Sequence, residues 1–138
     1  MTTESGRTGA AHLTLNALRI VTGFLFAAHG AQKLFGVLGR DAPVELMSLM
    51  GLAGVLEFFG GLLVMVGLFT RPVAFVLAGE MAVAYFMVHA PRGFWPLMNR
   101  GEPAVLFCFI FLMLAANGGG ALSLDGWLAA RRRGKLAG

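Results

Sequence analysis

The chain has 138 residues, of which 57% are hydrophobic and only 13% charged, with a mean hydropathy of +0.75. Soluble domains are about a quarter charged, so this chain could not clothe a water-facing surface, and its composition indicates a single integral membrane domain. The formal charge of +4 does not build a nucleic-acid face, because the basic residues stand at the ends of apolar segments with no interleaved aromatics; that distribution suits membrane topology and anionic headgroups.

Residues 1–12 are small and polar and are expected to form a disordered leader. The first apolar segment covers 13–35. It is too long for a signal-peptide core and is interrupted by Arg19, His29 and Lys33. GVLGRDAP at 36–43 breaks the chain before a second segment at 46–69. FTRPV is a tight connection, with Pro72 suited to the first turn of a third helix at 72–90. The loop APRGFWPLMNRGEP follows, with Phe94 and Trp95 as interfacial anchors. A fourth segment is expected over 103–122, apolar to Asn117 and extended through the glycines. Ser123 then caps a last helix with Asp125 in its first turn. The reading is all-α: a four-transmembrane-helix bundle over 13–122, then a short C-terminal interfacial amphipathic helix and basic tail over 123–138.

Four crossings would put both termini in one compartment. Their side carries Arg7, Arg19, Arg71, Arg131, Arg132, Arg133 and Lys135, against Lys33, Arg40, Arg92 and Arg100 on the other. The positive-inside rule places both termini in the cytoplasm. His29, Lys33, Glu57, His89 and Glu102 then gather in the outer half. Glu57 has Gly54 and Gly61 on its own helical face. Small residues let a neighbouring helix approach, so Glu57 should meet protein, with Lys33 or His29 as the nearest cation. His29 and Lys33 are about 40° apart around the axis, and Tyr85 and His89 likewise share a face. Glu80 and His89 are about 180° apart on an unkinked helix. His89 is therefore expected at the cavity mouth, with Glu80 paired elsewhere or at a subunit contact.

Plainer roles stand beside these. Lys33 could snorkel to headgroups, His29 could make one interhelical hydrogen bond, and Glu57 could form a structural ion pair. His89 and Glu102 could be ordinary interfacial residues, and Arg92 and Arg100 headgroup contacts. Cys108 is the only cysteine, which leaves no internal disulfide and no dithiol pair. No HExxH or close ligand pair favours a metal, and no phosphate loop, dinucleotide fingerprint or Ser–His–Asp set is present.

Three stretches, LRIVTGFLFAAHGAQKLFG, GLAGVLEFFGGLLVMVGLFTRPVA and GEPA…LMLAANGGGALSLDGWL, together resemble the DoxX family of small four-helix membrane proteins, over about residues 15–128. The family-like positions are Gly30, Lys33, Glu57, Gly60, Gly61, His89, Glu102, Gly120, Ser123, Leu124 and Asp125; the long basic tail departs from the pattern. The resemblance implies a bacterial inner-membrane protein. Related members look like membrane subunits of thiosulfate–quinone oxidoreductase or partners in stress-linked oxidoreductase complexes. On that footing quinone is the expected cofactor. Lys33 would stabilise an anionic substrate or quinol oxygen, Glu57 would carry protons, and His29 would shuttle or donate. Phe58, Tyr85, His89 and Glu102 would bind the quinone or pass protons outward. Partner subunits, a second copy of the chain and the lipid bilayer are the expected partners. A non-catalytic scaffold and a small-molecule or proton carrier are the rival readings.

Overall fold

The computed structural model describes residues 2–136, and the side chains of residues 9–136. Helix α1 runs Thr2–Phe35, and its apolar part Gly9–Phe35 is 27 residues long. The helix therefore starts well before Leu13, where a disordered leader was expected. No proline interrupts residues 1–12, and side-chain bonds from Thr14 to the Ala10 carbonyl (2.9 Å) and from Asn16 to the His12 carbonyl (2.7 Å) tie the turns there together.

Helix α2 spans Leu49–Val66 and helix α3 Thr70–Arg92. Ser48 opens α2 by accepting the Gly51 N–H at 3.0 Å, and Gly67 closes it in the left-handed conformation, φ 72°. That glycine and Phe69, also left-handed at φ 50°, turn the chain within three residues. With this turn α2 ends at Val66, short of the expected 69, and α3 begins at Thr70, before the expected 72. Helix α4, Glu102–Asn117, has 16 residues. It stops short of 122 because Gly118 and Gly120 take positive φ, 82° and 80°, which a continuing helix does not allow. The last helix, α5, runs Leu124–Leu136 and starts as expected at Ser123, whose Oγ accepts the Gly126 N–H at 3.0 Å.

Among the described residues, α1, α2 and α3 are long and apolar enough to cross a membrane, and α4 is a shorter apolar helix. Large apolar side chains such as Phe24, Leu52, Phe75 and Phe109 are exposed on all four, a surface that suits lipid and not water.

The four helices pack as two close pairs, α1 on α2 and α3 on α4. Glycine makes the first pair close: a Cβ on Gly61 would sit 2.5 Å from the Ala27 nitrogen, and one on Gly23 2.5 Å from the Met65 nitrogen. The pairs meet through Phe26, which lies edge-on to Phe111 with ring centroids 4.7 Å apart, and through Leu77 against Gly60. The seam between the pairs is filled only in part, and the candidate site occupies what is left.

Candidate functional site

A cavity of about 490 Å³ lies between the two pairs, bordered by all four helices. Most of its wall is apolar. Five ionisable side chains from three helices border it: His29 and Lys33 of α1, Glu57 of α2, and Glu80 and His89 of α3.

Lys33 is in the last turn of α1. Its Nζ donates to Glu57 Oε2 at 2.5 Å, and both side chains are largely shielded, with 15% and 6% exposed. Gly54 permits this approach, since a Cβ there would lie 3.1 Å from that of Lys33. Glu57 itself stands in a π turn, Leu56–Gly60, that interrupts α2. Such turns are rare and recur at functional sites.

A second π turn, Tyr85–His89, interrupts α3, and it overturns one expectation. The π turn acts as one inserted residue, a phase shift of about 100°, so Glu80 and His89 come within roughly 80° of each other around the axis. Both therefore border the cavity, where an unkinked helix would have set Glu80 on the far side. Neither Glu80 carboxyl oxygen is exposed, and neither has a hydrogen-bond partner. His89 Nδ1 lies 3.1 Å from the Asn99 carbonyl oxygen. A carbonyl only accepts, so Nδ1 carries the hydrogen, and in the neutral tautomer the lone pair is on Nε2. His29 meets Phe107 edge-on, with centroids 6.0 Å apart.

Three residues expected at the site lie outside the cavity wall. Phe58 packs edge-on between Phe35 and Phe59. Tyr85 is buried and closes the α3–α4 loop: its hydroxyl donates to the Phe94 carbonyl, and Asn99 Nδ2 donates to that hydroxyl at 3.3 Å. Tyr85 does touch the site indirectly, through its stacked contact with His89. Glu102 is exposed at the start of α4, beside a separate groove with Leu18, Thr22 and Leu25. Among the described residues, no group of three or more His, Cys, Asp or Glu is disposed to hold a metal ion.

The opposite end of the bundle holds a second polar cluster that sequence reasoning missed. Arg19 is 1% exposed. Its guanidinium donates to the Val64 (2.9 Å) and Met65 carbonyls in the last turn of α2, and to those of Gly119 (2.8 Å) and Leu122 (2.7 Å) before α5. Asp125 lies in the first turn of α5 as expected, and its carboxylate reaches across to cap α3, accepting the Phe69 and Thr70 N–H groups at 2.9 and 2.8 Å. Burial pushes the Asp125 carboxyl up, but the N–H bonds from Thr70 and Phe69 and the nearby Arg19 charge outweigh it and hold the group below its ordinary value. The available signal was an arginine inside an apolar segment together with a glycine run elsewhere, which supplies free carbonyls.

The family model described as DoxX matches residues 14–90. An uncharacterised protein of Haemophilus influenzae is 42% identical over 115 residues, covering 78% of this chain and 85% of the relative. "Inner membrane protein YqjF" of Escherichia coli is 32% identical over 119 residues, covering 78% and 85%. "Putative oxidoreductase CatD" of Bacillus subtilis is 32% identical over 112 residues, covering 78% and 81%. No solved structure matches the chain.

Proposed function

Because the chain belongs to the DoxX family of membrane proteins, we propose that it binds a lipid-soluble, quinone-type molecule in the cavity, as a subunit of a membrane oxidoreductase system. The observation that carries this reading is the convergence of His29, Lys33, Glu57, Glu80 and His89 on one otherwise apolar void. A relative named as an oxidoreductase supports the redox association.

The residues present fit such a group. Ligand cavities typically measure about 300–1,000 Å³ and combine apolar walls with a few polar contacts, and about 490 Å³ falls within that range. Lys33 has three N–H donors, of which one is engaged by Glu57, so it can also hold a ligand oxygen. Glu57, within 2.5 Å of Lys33, is placed to take or give a proton as the charge beside it changes. His29, at the α1–α4 edge of the cavity, is the candidate relay. A bound quinone would supply the two-electron chemistry that the side chains lack.

In this reading α4 is the fourth crossing, both termini face the cytoplasm of a bacterial inner membrane, and α5 lies on the membrane surface. Its Arg131 stacks over Trp127, 4.9 Å from the ring centre, a pairing suited to a headgroup layer. A relative named as an inner membrane protein supports the location. The oxidant, reductant and partner subunits lie outside this chain.

The test is quinone content after mild detergent purification. Wild-type protein is expected to retain quinone. Glu57→Gln and the paired Lys33→Met/Glu57→Gln variant are expected to lose most of it while eluting as folded protein. Undiminished quinone in both variants would count against the cavity as its site.

A further inference from the structure

We propose that the cavity selects a ligand bearing a free hydroxyl group, and that Glu80 is the residue that recognises it. The inference rests on the reading of the cavity as a ligand site and adds the chemical class of what it prefers.

Lys33 gives one N–H to Glu57 and keeps two to offer. Glu80 borders the same cavity with both oxygens enclosed and without a partner. Native structures rarely leave such groups unmatched, and those that do so point to a missing partner. His89 in its neutral form adds a further acceptor, with Nδ1–H engaged by the Asn99 carbonyl and the lone pair on Nε2. The cavity thus offers donors on α1 and acceptors on α3.

Glu80 keeps an acceptor oxygen whether or not its carboxyl carries a proton, so a ligand group that serves both sides accepts from Lys33 and donates to Glu80 or His89. A ketone or ether oxygen accepts only, and an ammonium group donates only, whereas a hydroxyl does both. The otherwise apolar wall requires the rest of the molecule to be a ring or chain without charge. Phenols and hydroquinones meet this description; methyl ethers of the same rings do not. Sites built to bond a hydroxyl discriminate strongly against analogues that lack it, because their own polar groups are then left unpaired.

The experiment is an anaerobic binding titration on the full chain in lipid nanodiscs, using a short-chain benzohydroquinone and its dimethyl ether. Wild-type protein is expected to bind the hydroquinone at least about tenfold more tightly than the ether. Glu80→Leu is expected to reduce that ratio to below about threefold, through the hydroquinone alone, and to melt no lower than wild type because it removes no hydrogen bond. Glu80→Gln, which keeps an acceptor, should retain an intermediate preference. Equal binding of both compounds to wild type, or an unchanged ratio in Glu80→Leu, would overturn the role of Glu80 and leave the cavity as a ligand site. Failure of wild type to bind either compound would overturn the proposed function as well. Should Glu80→Leu not fold, the wild-type ratio and Glu80→Gln decide the matter.

Discussion

Arg19 and Lys33 stand on the same helix, fourteen positions apart, and both reach into protein from an apolar span. Their surroundings differ in kind. Arg19 gives its hydrogens to four backbone carbonyls at two helix breaks, of which that of Val64 also accepts the Gly67 N–H, and Asp125 nearby takes two N–H groups from the start of α3. At that end the ionised groups act as caps, joining the α2–α3 turn to the glycine segment before α5. At the Lys33 end the helices part around a void, and Glu80 remains unmatched. Buried charge with its valences filled holds a bundle together; buried charge with valences open, beside a cavity, is what binding requires.

The contrast can be broken from either end. Arg19→Met removes the donor to four carbonyls, of which that of Val64 keeps a second partner in the Gly67 N–H, and an unsatisfied buried group costs about 1–3 kcal/mol each. Loss of folded protein, read by size exclusion and thermal melting in detergent, is the expected outcome. Lys33→Met leaves the Glu57 charge without its partner and should cost about 3 kcal/mol, most of it recovered in the Lys33→Met/Glu57→Gln pair, where no charge is stranded. A double-mutant cycle on melting temperature measures this recovery, and a pair as unstable as the single variant would show that Lys33 serves packing instead.

The smallest effect belongs to Asp125. Its folded pKa lies below the ordinary value, so the stability it contributes is fully present above about pH 4 and is lost as pH falls through the depressed folded value. Asp125→Asn should lower stability by about 1 kcal/mol at neutral pH and flatten the acid limb of the melting profile. An acid limb of equal steepness in the variant would assign that limb to other carboxylates.

Membrane character, the order of the apolar helices and the cap at Ser123 were open to local reading, because hydrophobic length and turn residues are properties of short segments. The Lys33–Glu57 pair was legible too. Two ionisable residues in apolar helices need each other, and the glycines beside Glu57 marked the face on which a neighbour could come close. Phe58 was placed by nearness to Glu57 in sequence, Tyr85 by the face it shares with His89 and Glu102 by its depth in the membrane, and none of these says which side of a helix wall a side chain reaches.

What local pattern could not reveal lies in backbone phase and in distant carbonyls. The π turn at Tyr85–His89 rotates everything beyond it, so Glu80 and His89 border one cavity although regular α-helical spacing opposes them. Arg19 has partners 45 to 103 residues away, all of them main-chain oxygens with no side-chain signature. Composition and periodicity determined that this chain would form apolar helices carrying a few costly charges. Only the packed bundle decided which of those charges were satisfied and which were left facing a void, since that depends on where separate helices end and turn against one another.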